Sequence, residues 1–131
     1  MIAILDTNFL IKYFLGSKDL GIEARKIFED ETVFLIIPSI SLFEIKYSIL
    51  REKLPKSVLY SALELTKQGN CMLYSLDQSL LDYLPKELSI HDGIIYATAL
   101  IQGKNLAETI YLLTKDREIR DLKQDFVKVV W

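Results

Sequence analysis

The chain has 131 residues, of which half are hydrophobic and 26% are charged, a balance that excludes intrinsic disorder and fits one domain with one core. Its formal net charge of −2 argues against binding nucleic acid by bulk electrostatics, which normally needs a basic surface. The apolar runs are too short to span a membrane, the single cysteine excludes an intramolecular disulfide, and no signal peptide is recognisable, so we expect a cytoplasmic protein.

Apolar patterning predicts strands that alternate with helices along the chain. In chain order we expect a strand over residues 1–5, helices over 8–15 and 20–30, a strand over 32–37, helices from Ser39 or Ser41 to 53 and over 55–67, a strand over 71–74, helices over 76–84 and 89–103, a strand over 109–114, a short helix over 116–122 and a strand over 126–130. This alternation predicts an α/β fold, in which a mostly parallel sheet is covered by helices on both faces. We see no domain boundary within residues 1–131.

Four carboxylates stand where the predicted strands end or where the following helices begin. Asp6 follows the first strand, Glu44 lies in the first turns of its helix, Asp92 lies just inside its helix, and Asp116 follows the strand over 109–114. Ligands bind beyond the carboxyl ends of parallel strands, so these acids are candidates for one site. Because crowded carboxylates repel one another, their convergence requires a cation, and oxygen ligands select Mg²⁺ or Mn²⁺.

Helix capping is the competing explanation for the same four acids. Asp6 and Asp116 both stand where an N-cap is expected, and the segments 41–44 and 89–92 fit the pattern of a capping box. Helix N-termini attract anions of any kind. Position alone therefore leaves both interpretations open.

Around these acids the sequence resembles the PIN-domain ribonucleases, and among them the single-domain VapC toxins of VapBC toxin–antitoxin pairs. The order and spacing of the motifs match that family across nearly the whole chain. The matching stretches are residues 4–8, 41–45, 91–99 and 113–117.

The resemblance implies a single PIN domain, with sheet order 3-2-1-4-5, that acts as a metal-dependent endoribonuclease on single-stranded or looped RNA. The acidic residues that it implies as catalytic and as Mg²⁺ or Mn²⁺ ligands are Asp6, Glu44, Asp92 and Asp116. Direct metal contact is expected from Asp6 and Asp92, with Glu44 orienting the attacking water or completing the metal shell. Asn8 and Thr114 match positions that support the first and fourth acids.

The resemblance also implies a homodimer and a small antitoxin protein that blocks the active site. The sequence departs from the family at Gly93, where relatives often have alanine, and in the segment 103–108, which is long for a loop.

His91 is expected beside the site, without a role as general base. The alternative function is a non-catalytic PIN-like module that binds RNA or protein.

Overall fold

The computed structural model describes all 131 residues, and its centre is a five-stranded parallel sheet. The strands are β1 (Ile2–Leu5), β2 (Phe34–Pro38), β3 (Cys71–Tyr74), β4 (Ile110–Leu113) and β5 (Val127–Val130). They pair in the order β3-β2-β1-β4-β5 and all pairs are parallel. The predicted α/β class and strand order are both confirmed.

Seven helices surround this sheet. They are α1 (Thr7–Phe14), α2 (Ile22–Glu29), α3 (Ser39–Leu50), α4 (Lys56–Leu65), a 3-10 helix (Gln78–Tyr83), α5 (Ile90–Leu106) and α6 (Arg117–Asp121). Each predicted helix is present, although the segment predicted over 76–84 forms a 3-10 helix. None of the helices combines the length and the apolar character needed to cross a bilayer.

The three central strands, β1, β2 and β4, are buried on both faces, which explains their continuous apolar runs. On one face, Ala3 and Leu5 of β1 join a cluster with residues of α1 to α4. On the other face, Ile4 packs with Ile95 and Tyr96 of α5. Alternation along β1 therefore fixes the carboxyl end of this strand between two helical layers, where the chain continues into Asp6.

The prediction for the end of α5 was wrong. We expected the helix to end near Gly103, but it continues to Leu106 and ends at Ala107, whose φ of 51° is left-handed. A Cβ atom on Gly103 would lie 2.5 Å from the Cβ of Phe126. Gly103 is therefore a site of close packing against the segment before β5, and most of the presumed long loop is helical.

Candidate active site

The four acidic residues lie together at the carboxyl edge of the sheet. Asp6 and Asp116 follow β1 and β4, which are neighbours with Leu5 paired to Leu113. The charges of Asp92 and Glu44 both act on Asp6, which places the helix-borne acids close to it. The charges of Asp116 and Glu44 act on Asp92 in the same way.

Asp6 is the buried centre of this group, with only 2% of its surface exposed. Its Oδ1 accepts a hydrogen bond from the backbone N–H of Thr7 at 2.7 Å, and its Oδ2 accepts one from the hydroxyl of Thr114 at 2.6 Å. Burial, followed by the negative charges of Asp92 and Glu44, raises the pKa of Asp6 to about 6 in spite of these two hydrogen bonds. A cation beside Asp6 would offset that repulsion.

Glu44 is held by a residue that the sequence analysis did not single out. The hydroxyl of Thr7 lies 2.8 Å from Oε1 of Glu44 and 3.0 Å from the hydroxyl of Ser41. A hydroxyl has one proton and an ionised carboxylate only accepts, so Thr7 donates to Glu44 and accepts from Ser41. The signal that could have identified Thr7 is its place directly after the first acid.

This geometry decides against a capping box over residues 41–44. The helix α3 begins at Ser39, and Pro38 occupies its N-cap position without any side-chain capping bond. Ser41 is therefore already inside the helix, and its hydroxyl is used by Thr7. Glu44 has no capping function, so its position near Asp6 needs another explanation.

Helix capping does apply to the strand-end acids and to Ser89. Asp6 and Asp116 are the N-caps of α1 and α6, and Ser89 is the N-cap of α5. Oδ1 of Asp116 accepts the backbone N–H groups of Glu118 and Ile119 at 2.8 and 3.3 Å. Both capping bonds of Asp116 use that one oxygen, so capping and cation binding by this residue are compatible.

Asp92 lies in the first turn of α5 and is only partly buried. The hydroxyl of Ser89 donates to its Oδ2 at 3.2 Å. Partial burial, followed by the charge of Asp116, raises the pKa of Asp92. The pKa values of two acids in this group are therefore raised, as expected where carboxylates are buried close to one another.

Asn8 and His91, which we expected close to the acids, are both exposed. Asn8 is exposed on α1 and makes no hydrogen bond to Asp6, so the support that we expected from it is provided by Thr7 and Thr114. His91 is exposed, and its Nδ1 lies 3.7 Å from Oε2 of Glu44. It therefore lies beside the site, as predicted.

The donor set is that of a site for a hard divalent cation, because it consists of carboxylate oxygens. In the side-chain positions of the structure, no three acidic, histidine or cysteine residues form a group that could hold a metal ion. Asp6 is fixed by two hydrogen bonds, whereas Glu44, Asp92 and Asp116 are only partly buried. Asp6 is therefore the buried, fixed member of the group, and the other three carboxylates are the more accessible ones.

Known proteins were compared with the chain in sequence and in structure. The fold is similar to a chain in the crystal structure of VapBC2 from Rickettsia felis bound to a DNA fragment from its promoter, with a TM-score of 0.69 and 16% sequence identity over 98% of each chain. A comparison with curated protein sequences gave no significant match. The sequence profile of the PIN domain matches residues 3–125, and the chain therefore belongs to the PIN domain family.

Proposed function

We propose that this protein is a metal-dependent endoribonuclease that hydrolyses phosphodiester bonds in single-stranded or looped RNA. The observation that carries the proposal is the grouping of three partly buried acids around buried Asp6, with the pKa of Asp6 raised to about 6. PIN domains are in general metal-dependent nucleases, which supports the same conclusion. We assign Mg²⁺ or Mn²⁺ as the cofactor because the donors are carboxylate oxygens.

Asp6 and Asp92 would hold the cation directly, and Asp116 would hold it through water or hold a second one. When bound, the cation supplies charge to offset the developing negative charge on the phosphate and to activate water. Glu44 would orient the attacking water through its Oε2, because its Oε1 is occupied by Thr7. Thr114 keeps one oxygen of Asp6 in place and so fixes the geometry of the donors.

The proposed products are a 5′-phosphate and a 3′-hydroxyl. We propose that the protein is the toxin of a toxin–antitoxin pair in the cytoplasm and that a small antitoxin protein inhibits it. Its similarity in fold to VapBC2 supports this assignment. We also propose a homodimer, for which α3 offers exposed Phe43 and Tyr47.

A non-catalytic PIN-like module remains the second candidate. It is favoured by the capping bonds of Asp6 and Asp116, which give both acids a structural function that does not involve catalysis. It does not explain Glu44, which caps no helix and is nevertheless held toward Asp6 by Thr7.

The deciding experiment is cleavage of a labelled pool of structured RNAs by purified protein, with Mn²⁺ or with EDTA. Wild type is compared with Asp92→Asn, which keeps the size of the side chain and removes its charge. We expect Mn²⁺-dependent cutting by wild type and a loss of at least about a hundredfold in the variant. Asp82→Asn removes an exposed charge on the 3-10 helix and is the matched control, with wild-type activity expected.

The outcomes separate the two candidate functions. Equal cutting by wild type and Asp92→Asn would show a contaminating nuclease and would leave the proposed activity without support. Absence of cutting, together with absence of Mn²⁺ binding in calorimetry and no copurified inhibitor, would exclude the nuclease and favour the binding module.

A further inference from the structure

A second feature lies on α6 and β5, beyond the acidic group. A shallow cleft of about 320 Å³ is lined by residues 120, 122–125 and 127–129, and we call it the α6–β5 cleft. Arg120 and Lys123 line it, and neither makes an ion pair within the chain. Asp125 is the one acidic residue in its lining, so the cleft is cationic in a protein of net charge −2.

Lys128 is also part of the lining, but its ammonium group is directed elsewhere. It lies over the ring of Tyr111, 5.6 Å from the ring centroid. Tyr111 packs against the core on one face of the sheet, whereas Val127 and Val129 pack against the core on the other. Arg120 and Lys123 are therefore the cationic side chains that the cleft offers to a ligand.

Two further lysines are not available to a ligand in the same way. Lys12 and Lys115 both bind Oδ2 of Asp19, at 2.7 and 3.1 Å. These two ion pairs hold the lysines to the loop before α2. A larger cavity, of about 910 Å³, is lined by Glu29, Glu31 and Glu64 and by no lysine or arginine, so it does not suit a phosphate.

The α6–β5 cleft is fixed in position relative to the acidic group. The backbone N–H of Arg120 donates to the carbonyl of Asp116 at 3.0 Å, which places Arg120 one helical turn, about 5 Å, beyond Asp116 on the same side of α6. The buried side chain of Tyr96 on α5 donates to the carbonyl of Leu122 at 2.6 Å. The wall of the cleft is thus attached to the helix that carries Asp92.

On the basis of the proposed ribonuclease function, we propose that the α6–β5 cleft binds a backbone phosphate of the RNA substrate, away from the bond that is cut. Arg120 and Lys123 pair with the phosphate oxygens, and the turn of α6 between Asp116 and Arg120 sets the distance from the reacting phosphate. The cleft supplies the positive charge that an acidic protein needs to hold RNA. Because it contacts only phosphate, it contributes affinity without sequence preference.

The test measures binding of a short fluorescein-labelled single-stranded RNA by anisotropy, with Mg²⁺ present and over a range of salt concentrations. All proteins carry Asp92→Asn so that the RNA survives. We expect Arg120→Ala with Lys123→Ala to weaken binding about tenfold at low salt and to reduce the slope of log K against log salt by about 1.4. Lys26→Ala with Lys56→Ala removes the same charge from exposed positions distant from the cleft and leaves both quantities unchanged.

Unchanged binding in the cleft variant, equal losses in both double variants, or no RNA binding at all would overturn the proposal. Circular dichroism confirms that each variant is folded. Cutting of the same RNA by the protein with Asp92 intact tests the ribonuclease separately. If that protein cuts the RNA but the cleft variant binds it normally, the proposal for the cleft is wrong and the ribonuclease function stands. If the cleft variant loses RNA binding but the protein with Asp92 intact does not cut, the cleft binds RNA and the ribonuclease function is wrong.

Discussion

At the scale of single residues, Asp6 combines burial with a negative charge that the protein does not neutralise. Its pKa is raised from 3.8 to about 6, so the folded state binds a proton more tightly than the unfolded state does. Such a group stabilises the fold fully only when the pH is below its pKa in the unfolded state. This contribution is lost as the pH rises through its pKa in the folded state. Asp6 therefore costs stability at neutral pH.

The change Asp6→Asn removes this pH dependence. As the pH rises from 4 to 7, we expect the free energy of unfolding of the variant to increase by about 2 kcal/mol relative to that of wild type, with most of the change between the two pKa values. Urea unfolding at a series of pH values measures it. A difference between the two proteins that is independent of pH would show that Asp6 is not perturbed.

We expect a bound divalent cation to offset the loss of folding stability that ionised Asp6 causes at neutral pH. Mn²⁺ that binds the carboxylates of the folded protein stabilises it by mass action. Thermal unfolding at neutral pH is therefore expected to show a higher midpoint with Mn²⁺ for wild type and little change for Asp6→Asn. Equal shifts for both proteins would place the cation elsewhere.

Thr7 offers a sharper test of how Glu44 is oriented. Thr7→Val keeps the shape of the side chain and removes the proton that binds Oε1 of Glu44. If Glu44 orients the attacking water, kcat falls about 10- to 100-fold with KM nearly unchanged. Thr7→Ser restores the hydroxyl and is expected to recover most of the rate. Equal rates for Val and Ser would exclude this function of Thr7.

At the scale of elements, α5 contains two glycines in different surroundings. A Cβ atom on Gly93 would meet Leu84 and Pro85 only at ordinary contact distances of 3.7 Å and more, whereas one on Gly103 would overlap Phe126. Both changes to alanine gain helix propensity, so only the packing differs. The two glycines are therefore a matched pair within one helix.

We expect Gly93→Ala to raise the free energy of unfolding by about 1 kcal/mol, because alanine has the higher helix propensity and meets its neighbours only at ordinary contact distances. Gly103→Ala is expected to lower it by about 1–3 kcal/mol because the backbone near Phe126 must shift. Chemical denaturation of the two variants beside wild type measures both effects. Stabilisation by both changes would contradict the close approach of α5 to the segment before β5.

The same helix shows which features of the fold are readable from sequence. The strands and the helix starts follow from local patterns, such as apolar runs and the capping residue Ser89, and they lie within two residues of the predicted positions, although Pro38 and not a serine occupies the N-cap position of α3. The end of α5 depends on the packing of Gly103 against Phe126, residues that are far apart in the chain. A glycine that normally ends a helix was therefore misinterpreted, because its partner is a long-range neighbour.

At the scale of the whole molecule, the topology could be predicted but the hydrogen-bond network of the site could not. Alternating strands and helices, with the family resemblance, predicted the sheet order and hence the edge at which the acids meet. The family resemblance implied a supporting role for Asn8, but the side chain of Asn8 is exposed on α1. The support comes from Thr114, a residue 108 positions away from Asp6.

The surface of α3 leads to the prediction about assembly. Phe43, Tyr47 and Leu50 lie at the i, i+4 and i+7 positions, and 61–70% of each is exposed. This spacing puts them on one face of the helix, where together they form an apolar stripe beside Glu44. An exposed apolar stripe is typical of an interface, and a second copy of the chain is the partner implied by the family resemblance.

We therefore expect wild type to be a dimer in light scattering coupled to size-exclusion chromatography, and Phe43→Glu with Tyr47→Glu to be a monomer. Because both side chains are exposed within one chain, the charges disrupt association without disturbing the core. The control is Ile22→Glu, which adds a charge at an exposed apolar residue of α2 and leaves the dimer intact. A monomeric wild type, or a glutamate variant that remains dimeric, would exclude α3 as the dimer surface.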